Sequence, residues 1–258
     1  MKKTISFIII FLMATRTFAQ DLYIGSYYVT STEEEKLYGD GKDKWSTRMP
    51  IIVDMFKYEQ PDVLGLQSLT ASQLSALTTR LSSYQRAGDI LYNNTCELDT
   101  CGLVEGLPTD CTCSWAKLRK EEKDFYVFNM YFTPDSAQAS VNHLRTTITA
   151  MELGNAPVFV VGYLGVNETK QPYTRLTAKF NDCYAKATVK SAEYGTVNNF
   201  DLENNHGSNR FDFVLASKNV TNVTAYGQLQ YAYFTSESGS YKRRLPSTHF
   251  PVMVKLKM

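Results

Sequence analysis

The sequence predicts an α/β (α+β) protein in which sheets are sandwiched between helices, and three observations carry that prediction. Helical and strand patterns alternate through the first half of the chain. Strand patterns dominate its last third. The run 157–161 is apolar without a break, as expected of a strand buried on both faces near the middle of a sheet. A length of 258 residues suits one large domain, and no repeat, linker or low-complexity tract divides it.

The elements follow in order. Residues 22–30, rich in Tyr, Ile and Val, read as a first strand. A charged, glycine-containing loop covers 33–44. Ser46 or Thr47 caps a helix with Pro50 in its first turn, which carries Ile52, Val53, Met55 and Phe56 inward, and Pro61 stops it. Residues 63–67 make a short buried strand. Thr70 with Gln73 forms a capping box, and Leu74, Leu77 and Leu81 give the next helix one apolar stripe. The window 88–112 has no clear periodicity. Residues 114–118 and 125–132 form a hairpin around the charged turn 119–123. Val141, Leu144, Ile148 and Met151 share one face of a helix that begins near Pro134. A further helix spans 172–180, and 211–215, 223–231 and 251–256 are late strands.

Composition narrows the function classes. A hydrophobic fraction of 43% and a charged fraction of 21% are ordinary for a soluble globular chain. The net charge of +1 supplies no bulk basic field for non-specific nucleic-acid binding. Lys2 and Lys3, the apolar stretch 5–13 and the small-x-small site Thr17-Phe18-Ala19 form a bacterial-type signal peptide over 1–19, with the mature domain over 20–258. That stretch falls short of the roughly 20 residues a membrane span needs. No Cys follows it, so the expectation is a secreted or periplasmic protein without a lipid anchor or a transmembrane span.

Cys96, Cys101, Cys111 and Cys113 cluster, while Cys183 stands alone. Their spacing lacks the Cys-x2-4-Cys pairs of zinc sites. In an oxidising compartment the favoured expectation is one or two disulfides tying down a loop.

The chemistry rests on three motifs: Asp62-Val63-Leu64-Gly65-Leu66-Gln67-Ser68, Val160-Val161-Gly162-Tyr163-Leu164-Gly165 and Pro246-Ser247-Thr248-His249-Phe250-Pro251. Together they resemble the endonuclease/exonuclease/phosphatase superfamily, the deoxyribonuclease I-like enzymes, whose signatures read P-D-[VI]-[LIF]-[GA]-x-Q-E, G-D-[FL]-N and S-D-H-[FY]-P. Further likenesses follow in the family's order: Trp45 through Arg48 to Pro50 for W-x-x-R-x-P, Cys113 to Leu118 for C-T-W-A-K-L, Phe125 to Asn129 for F-Y-V-F-N, Gly195 to Asn198 for G-T-F-N, and Arg210 to Val214 for R-[IF]-D-[YF]-[IV]. The resemblance implies a four-layer α-β-β-α sandwich of two packed, mostly antiparallel sheets. It also implies that a strand or two between Gly88 and Ser114 is missing or replaced by a disulfide-bound loop.

Family enzymes break phosphate esters with Mg²⁺ or Mn²⁺, hard cations held chiefly by carboxylate oxygens. Here the resemblance places Ser68 at the Glu, Thr248 and Tyr163 at the two Asp, Gly165 at an Asn, Tyr131 at a His, and Tyr28 at the first-strand Asn. Uncharged hydroxyls are poor ligands for Mg²⁺, so the expectation is a pseudoenzyme with no metal and no cofactor. Mg²⁺ or Mn²⁺ enters only under an alternative, an active hydrolase whose ligands come from Asp201, Glu203 or Glu168.

Asp212 and His249 match the family's hydrogen-bonded dyad. Two readings stand open: an anion-contacting His held by a carboxylate, or a buried polar pair that closes two strands. The candidate cleft is Tyr28, Ser68, Asn129, Tyr131, Tyr163, Asp212, Thr248 and His249, its tyrosines either a binding surface or filling for vacated space. His143 reads as an ordinary helix His, and His206 as loop. Glu33-Glu34-Glu35 and Lys242-Arg243-Arg244 read as solvated. The expected partner is a glycan, a phosphorylated small molecule or an envelope protein; a dimer through the cysteine-rich loop is a third reading.

Overall fold

In the computed structural model the described residues are 21–38, 41–192, 194–200, 207–237 and 239–258; the expected signal peptide lies outside them. The order is β1 (Asp21–Tyr28), α1 (Glu35–Tyr38), α2 (Trp45–Glu59), β2 (Val63–Gln67), α3 (Ala71–Arg80), β3 (Tyr84–Ala87), β4 (Ile90–Asn93), β5 (Cys96–Leu103), β6 (Thr112–Lys120) and β7 (Lys123–Tyr131). The chain continues through α4 (Ala137–Ala150), β8 (Val158–Tyr163), α5 (Gln171–Thr177), β9 (Phe180–Asp182), α6 (Cys183–Lys186), β10 (Val189–Ser191) and β11 (Asp212–Ser217). It ends with β12 (Asn222–Gln228), β13 (Tyr233–Glu237), β14 (Ser240–Arg244) and β15 (Val252–Lys257).

One sheet runs β10-β12-β15-β1-β2-β4-β3 and the other β5-β6-β7-β8-β11-β9, with β13 and β14 a separate hairpin. Neighbours are antiparallel except β1 with β2, β7 with β8 and β10 with β12. The strand alternation sorts the apolar side chains into layers. Ile24, Val127, Val161, Val214 and Val254 pack between the sheets. Phe128, Val160 and Phe213 turn outward against Val141 and Leu144 of α4. On the far side, Tyr27, Leu64 and Met253 meet Ile52 and Phe56 of α2 and Leu77 of α3. Three apolar interfaces make four layers, α-β-β-α, with the α+β content expected. No helix among the described residues is long and apolar enough to cross a membrane.

The capping box Thr70–Gln73 is present. The start of α2 differs: it begins at Trp45 with Lys44 as an N-cap that makes no side-chain bond, so Pro50 falls past the first turn. Its position is set instead by Arg48, whose fully buried guanidinium bonds the carbonyls of Val29, Thr30, Asp43 and Pro246 and pairs with Glu35 at 2.7 Å.

The aperiodic window 88–112 holds two strands, β4 and β5. β5 is an edge strand, exposed along nearly its whole length and bulged between Leu98 and Thr100, so it carries no alternation to read. The disulfide expectation is overturned, since all five cysteines are free. Cys96 faces the space between the sheets, Cys111 and Cys113 face the α4 side, and Cys101 is exposed. Cys183 shares the inter-sheet space but sits beyond β9, at the opposite edge from β5. The basic triplet 242–244 is only partly solvated: it lies in β14, with Lys242 and Arg243 exposed but Arg244 buried against Asp43 at 2.8 Å.

Candidate functional site

Inward-facing positions become polar or aromatic at one end of the inter-sheet core. Tyr28 pairs with Gln67 across β1 and β2, Tyr131 with Tyr163 across β7 and β8, and Tyr163 with Asp212 across β8 and β11. Beneath them Gln67 donates to Asn129 Oδ1 (2.6 Å) and Asn129 donates to the Leu66 carbonyl (2.8 Å), which ties the sheets together. Gly162 lets the sheet close there: at φ +131°, a Cβ would stand 2.0 Å from the Met130 carbonyl oxygen.

The dyad is formed. Nδ1 of His249 lies 2.7 Å from Asp212 Oδ2, with Asp212 fully buried and His249 8% exposed. Tyr28 stacks on the imidazole with centroids 4.1 Å apart and planes 13° from parallel, and Tyr163 meets it edge-on at 5.5 Å. Tyr28, Tyr131 and Tyr163 also contact one another with centroids 5.0–6.1 Å apart. The rings therefore fill the end of the core beside the imidazole.

The hydroxyls that the resemblance sets at carboxylate positions, Ser68 and Thr248, are engaged locally. Thr248 is buried, with Oγ1 2.7 Å from Thr30 Oγ1, which also meets Ser247 Oγ at 2.8 Å. Ser68, at φ +57°, donates to Glu34 Oε2 at 2.5 Å. The Tyr28 hydroxyl donates to Glu34 Oε1, and the Ser31 amide to Oε2 at 3.0 Å. Burial first, then the Glu34 carboxylate, hold the Tyr28 phenol far above its usual titration range, so it remains a donor. Glu34 was expected in a solvated run; the turn before α1 instead aims it into the cleft.

An open pocket of about 400 Å³ adjoins Glu34, lined also by Glu33, Ser68, Asp89, Asn129 and Tyr131. Burial raises the Asp89 carboxyl above the usual range, with Arg86 opposing. Burial, then Glu34, raises the Tyr131 phenol. The family's Mg²⁺ or Mn²⁺ does not fit this donor set. Ser68 spends its proton on Glu34, Thr248 turns to Thr30, Tyr28 stays protonated, and among the described residues no group of three His, Cys, Asp or Glu could hold a metal ion.

The expected cleft thus divides in two. Ser68, Asn129 and Tyr131 line the open pocket; Tyr28, Tyr163, Asp212, Thr248 and His249 form the packed side. Of the alternative metal ligands, Glu168 accepts from the Arg210 amide at 2.7 Å, and Asp201 and Glu203 lie outside the described residues, as does His206. His143 is half-buried on α4, its Nε2 2.6 Å from the Glu105 carbonyl. Glu34 and Asp89 are the functional candidates that sequence missed. No periodicity marks them, because a turn and a hairpin tip bring them in.

A four-layer sandwich with a His–Asp pair at one end of its inter-sheet core defines the class: the chain has the endonuclease/exonuclease/phosphatase, deoxyribonuclease I-like fold. It is similar to an endonuclease/exonuclease/phosphatase family protein from Bacteroides thetaiotaomicron, with a TM-score of 0.84 and 24% identity over 93% of this chain and 98% of that one. A mannosyl-6-phosphatase from the same organism gives 0.81 and 24% over 91% and 99%. The human Nocturnin catalytic domain gives 0.69 and 15% over 91% and 92%. No family model and no curated protein matches the sequence.

Proposed function

We propose that this chain is an exported protein that keeps a phosphoesterase fold as a ligand-binding scaffold, without metal-dependent hydrolysis. The observation that carries the reading is the packing of Tyr28 and Tyr163 around His249, in the space that the resemblance reserves for a metal and a phosphate. Ser68 and Thr248, at the carboxylate positions, are already hydrogen-bonded within the protein. Losing a general base costs about 10²–10⁴-fold in rate, and losing a metal removes several kcal/mol of charge stabilisation. The dyad then serves as a paired buried polar group that keeps β11 and the segment before β15 in register. Lys2, Lys3, the apolar stretch 5–13 and Thr17-Phe18-Ala19 support export. The open pocket is the binding side, and no cofactor is required.

A second reading, an altered hydrolase, is favoured by one observation: Glu34 returns a carboxylate to Ser68. The likeness to a phosphatase agrees with it. Purified protein with bis-p-nitrophenyl phosphate or p-nitrophenyl phosphate, plus Mg²⁺ or Mn²⁺, separates the two. The expected rate is that of buffer and is unchanged in His249→Ala. A metal-dependent rate abolished by that substitution establishes the hydrolase instead.

A further inference from the structure

The pocket beside Glu34 has a lining unlike a phosphate site. It presents the carboxylates of Glu33, Glu34 and Asp89, the hydroxyls of Ser68 and Thr112, and the ring of Tyr131, and it contains no Lys, Arg or His. Glu34 is fixed there by three donors, Tyr28, Ser68 and the Ser31 amide, so it cannot swing aside for an incoming anion. An incoming phosphate meets these like charges at close range, where they repel, and the metal that offsets such repulsion in the family does not fit here.

The same lining suits a different chemistry. Carboxylate oxygens accept several hydrogen bonds each, and half-buried Asp89 makes no side-chain bond among the described residues, so it favours a ligand that brings donors. The half-exposed Tyr131 ring offers a flat apolar wall for the C–H face of a saturated ring. About 400 Å³ falls within the usual range for small-molecule sites, roughly 300–1,000 Å³. We infer that the pocket takes an uncharged, hydroxyl-rich ring, a sugar residue that is free or at the end of a glycan, and rejects its phosphorylated form. The inference rests on the non-catalytic reading and adds the ligand class.

The test is saturation-transfer NMR with the full-length mature protein and five probes: the methyl glycosides of mannose, glucose and galactose, mannose 6-phosphate, and spermidine as a cationic control. At least one neutral glycoside gives transfer, mannose 6-phosphate binds at least tenfold more weakly, and spermidine does not compete. Thr112→Trp, on an exposed strand end at the pocket, abolishes transfer while the circular dichroism stays unchanged. Glu34→Gln narrows the gap between the neutral and phosphorylated sugars. An oligosaccharide ending in the best sugar, tested beside the free glycoside, distinguishes a glycan terminus from a monosaccharide. Tighter binding of mannose 6-phosphate, binding of spermidine alone, no binding of any glycoside, or transfer that survives Thr112→Trp each overturns the inference. Release of inorganic phosphate from mannose 6-phosphate overturns the non-catalytic reading itself.

Discussion

The ring of Tyr28 lies on the imidazole of His249, 4.1 Å between centroids, while its hydroxyl donates to Glu34 on the other side. One side chain therefore joins the packed half of the cleft to the open half. Tyr28→Phe keeps the stack and removes the donor; because Glu34 is partly solvated, the cost is about 0.5–1.5 kcal/mol. Tyr28→Ala also empties a buried ring volume and costs about 3–5 kcal/mol. Urea midpoints at constant slope check the order of the two variants.

Arg48 holds three site segments at once, bonding carbonyls at Val29 and Thr30, at Asp43 and at Pro246. Arg48→Ala leaves these acceptors and Glu35 without their partner, a loss of about 3–5 kcal/mol. Arg48→Lys recovers only part of it, because an ammonium cannot reproduce the planar fork. Thermal melts of both variants read this out.

Gly162, on β8 beside Tyr163, should tolerate no side chain. A Cβ would collide with the Met130 carbonyl at 2.0 Å, and both atoms belong to paired central strands. Gly162→Ala is expected to give little soluble, folded protein, measured by expression yield and circular dichroism.

Asp89 carries a carboxyl whose folded-state titration is raised by burial. Between the unfolded value and that raised value the folded protein binds more protons, so this residue's contribution falls as pH rises through that window and stays low above it. Asp89→Asn should therefore raise the melting temperature at pH 7 and change it little at pH 3. A stabilisation that is equal at both pH values contradicts the assignment.

The thiols give a direct count. Cys101 is exposed, whereas Cys96 is buried, which pushes its thiol up to about 11, and burial raises Cys113 and Cys183 further. Native protein should show one fast-reacting thiol, and unfolded, unreduced protein five. Three or fewer in the unfolded state would restore a disulfide.

The layers were legible because strands such as those over 63–66 and 158–161 bury both faces and carry no polar side chain, and because the Thr70–Gln73 capping box is a local signal. The His249–Asp212 pair was legible through the motif resemblance alone, since 37 residues separate the two. β5 was not legible: an exposed, bulged edge strand obeys no period. Glu34 was not legible either. Three consecutive glutamates look like a solvated run, and only the fold shows the middle one facing Ser68 while the next one pairs with Arg48. Cysteine spacing misled because a sheet and its full width stand between thiols that are close in sequence or share a core.

Calorimetric titration of the purified protein with Mn²⁺ at neutral pH reaches the central question most directly. With Ser68 and Thr248 bonded inside the protein and Tyr28 protonated, the expected result is no saturable heat. A stoichiometric, saturable site that disappears in Glu34→Gln would contradict it and favour the metal-dependent hydrolase reading.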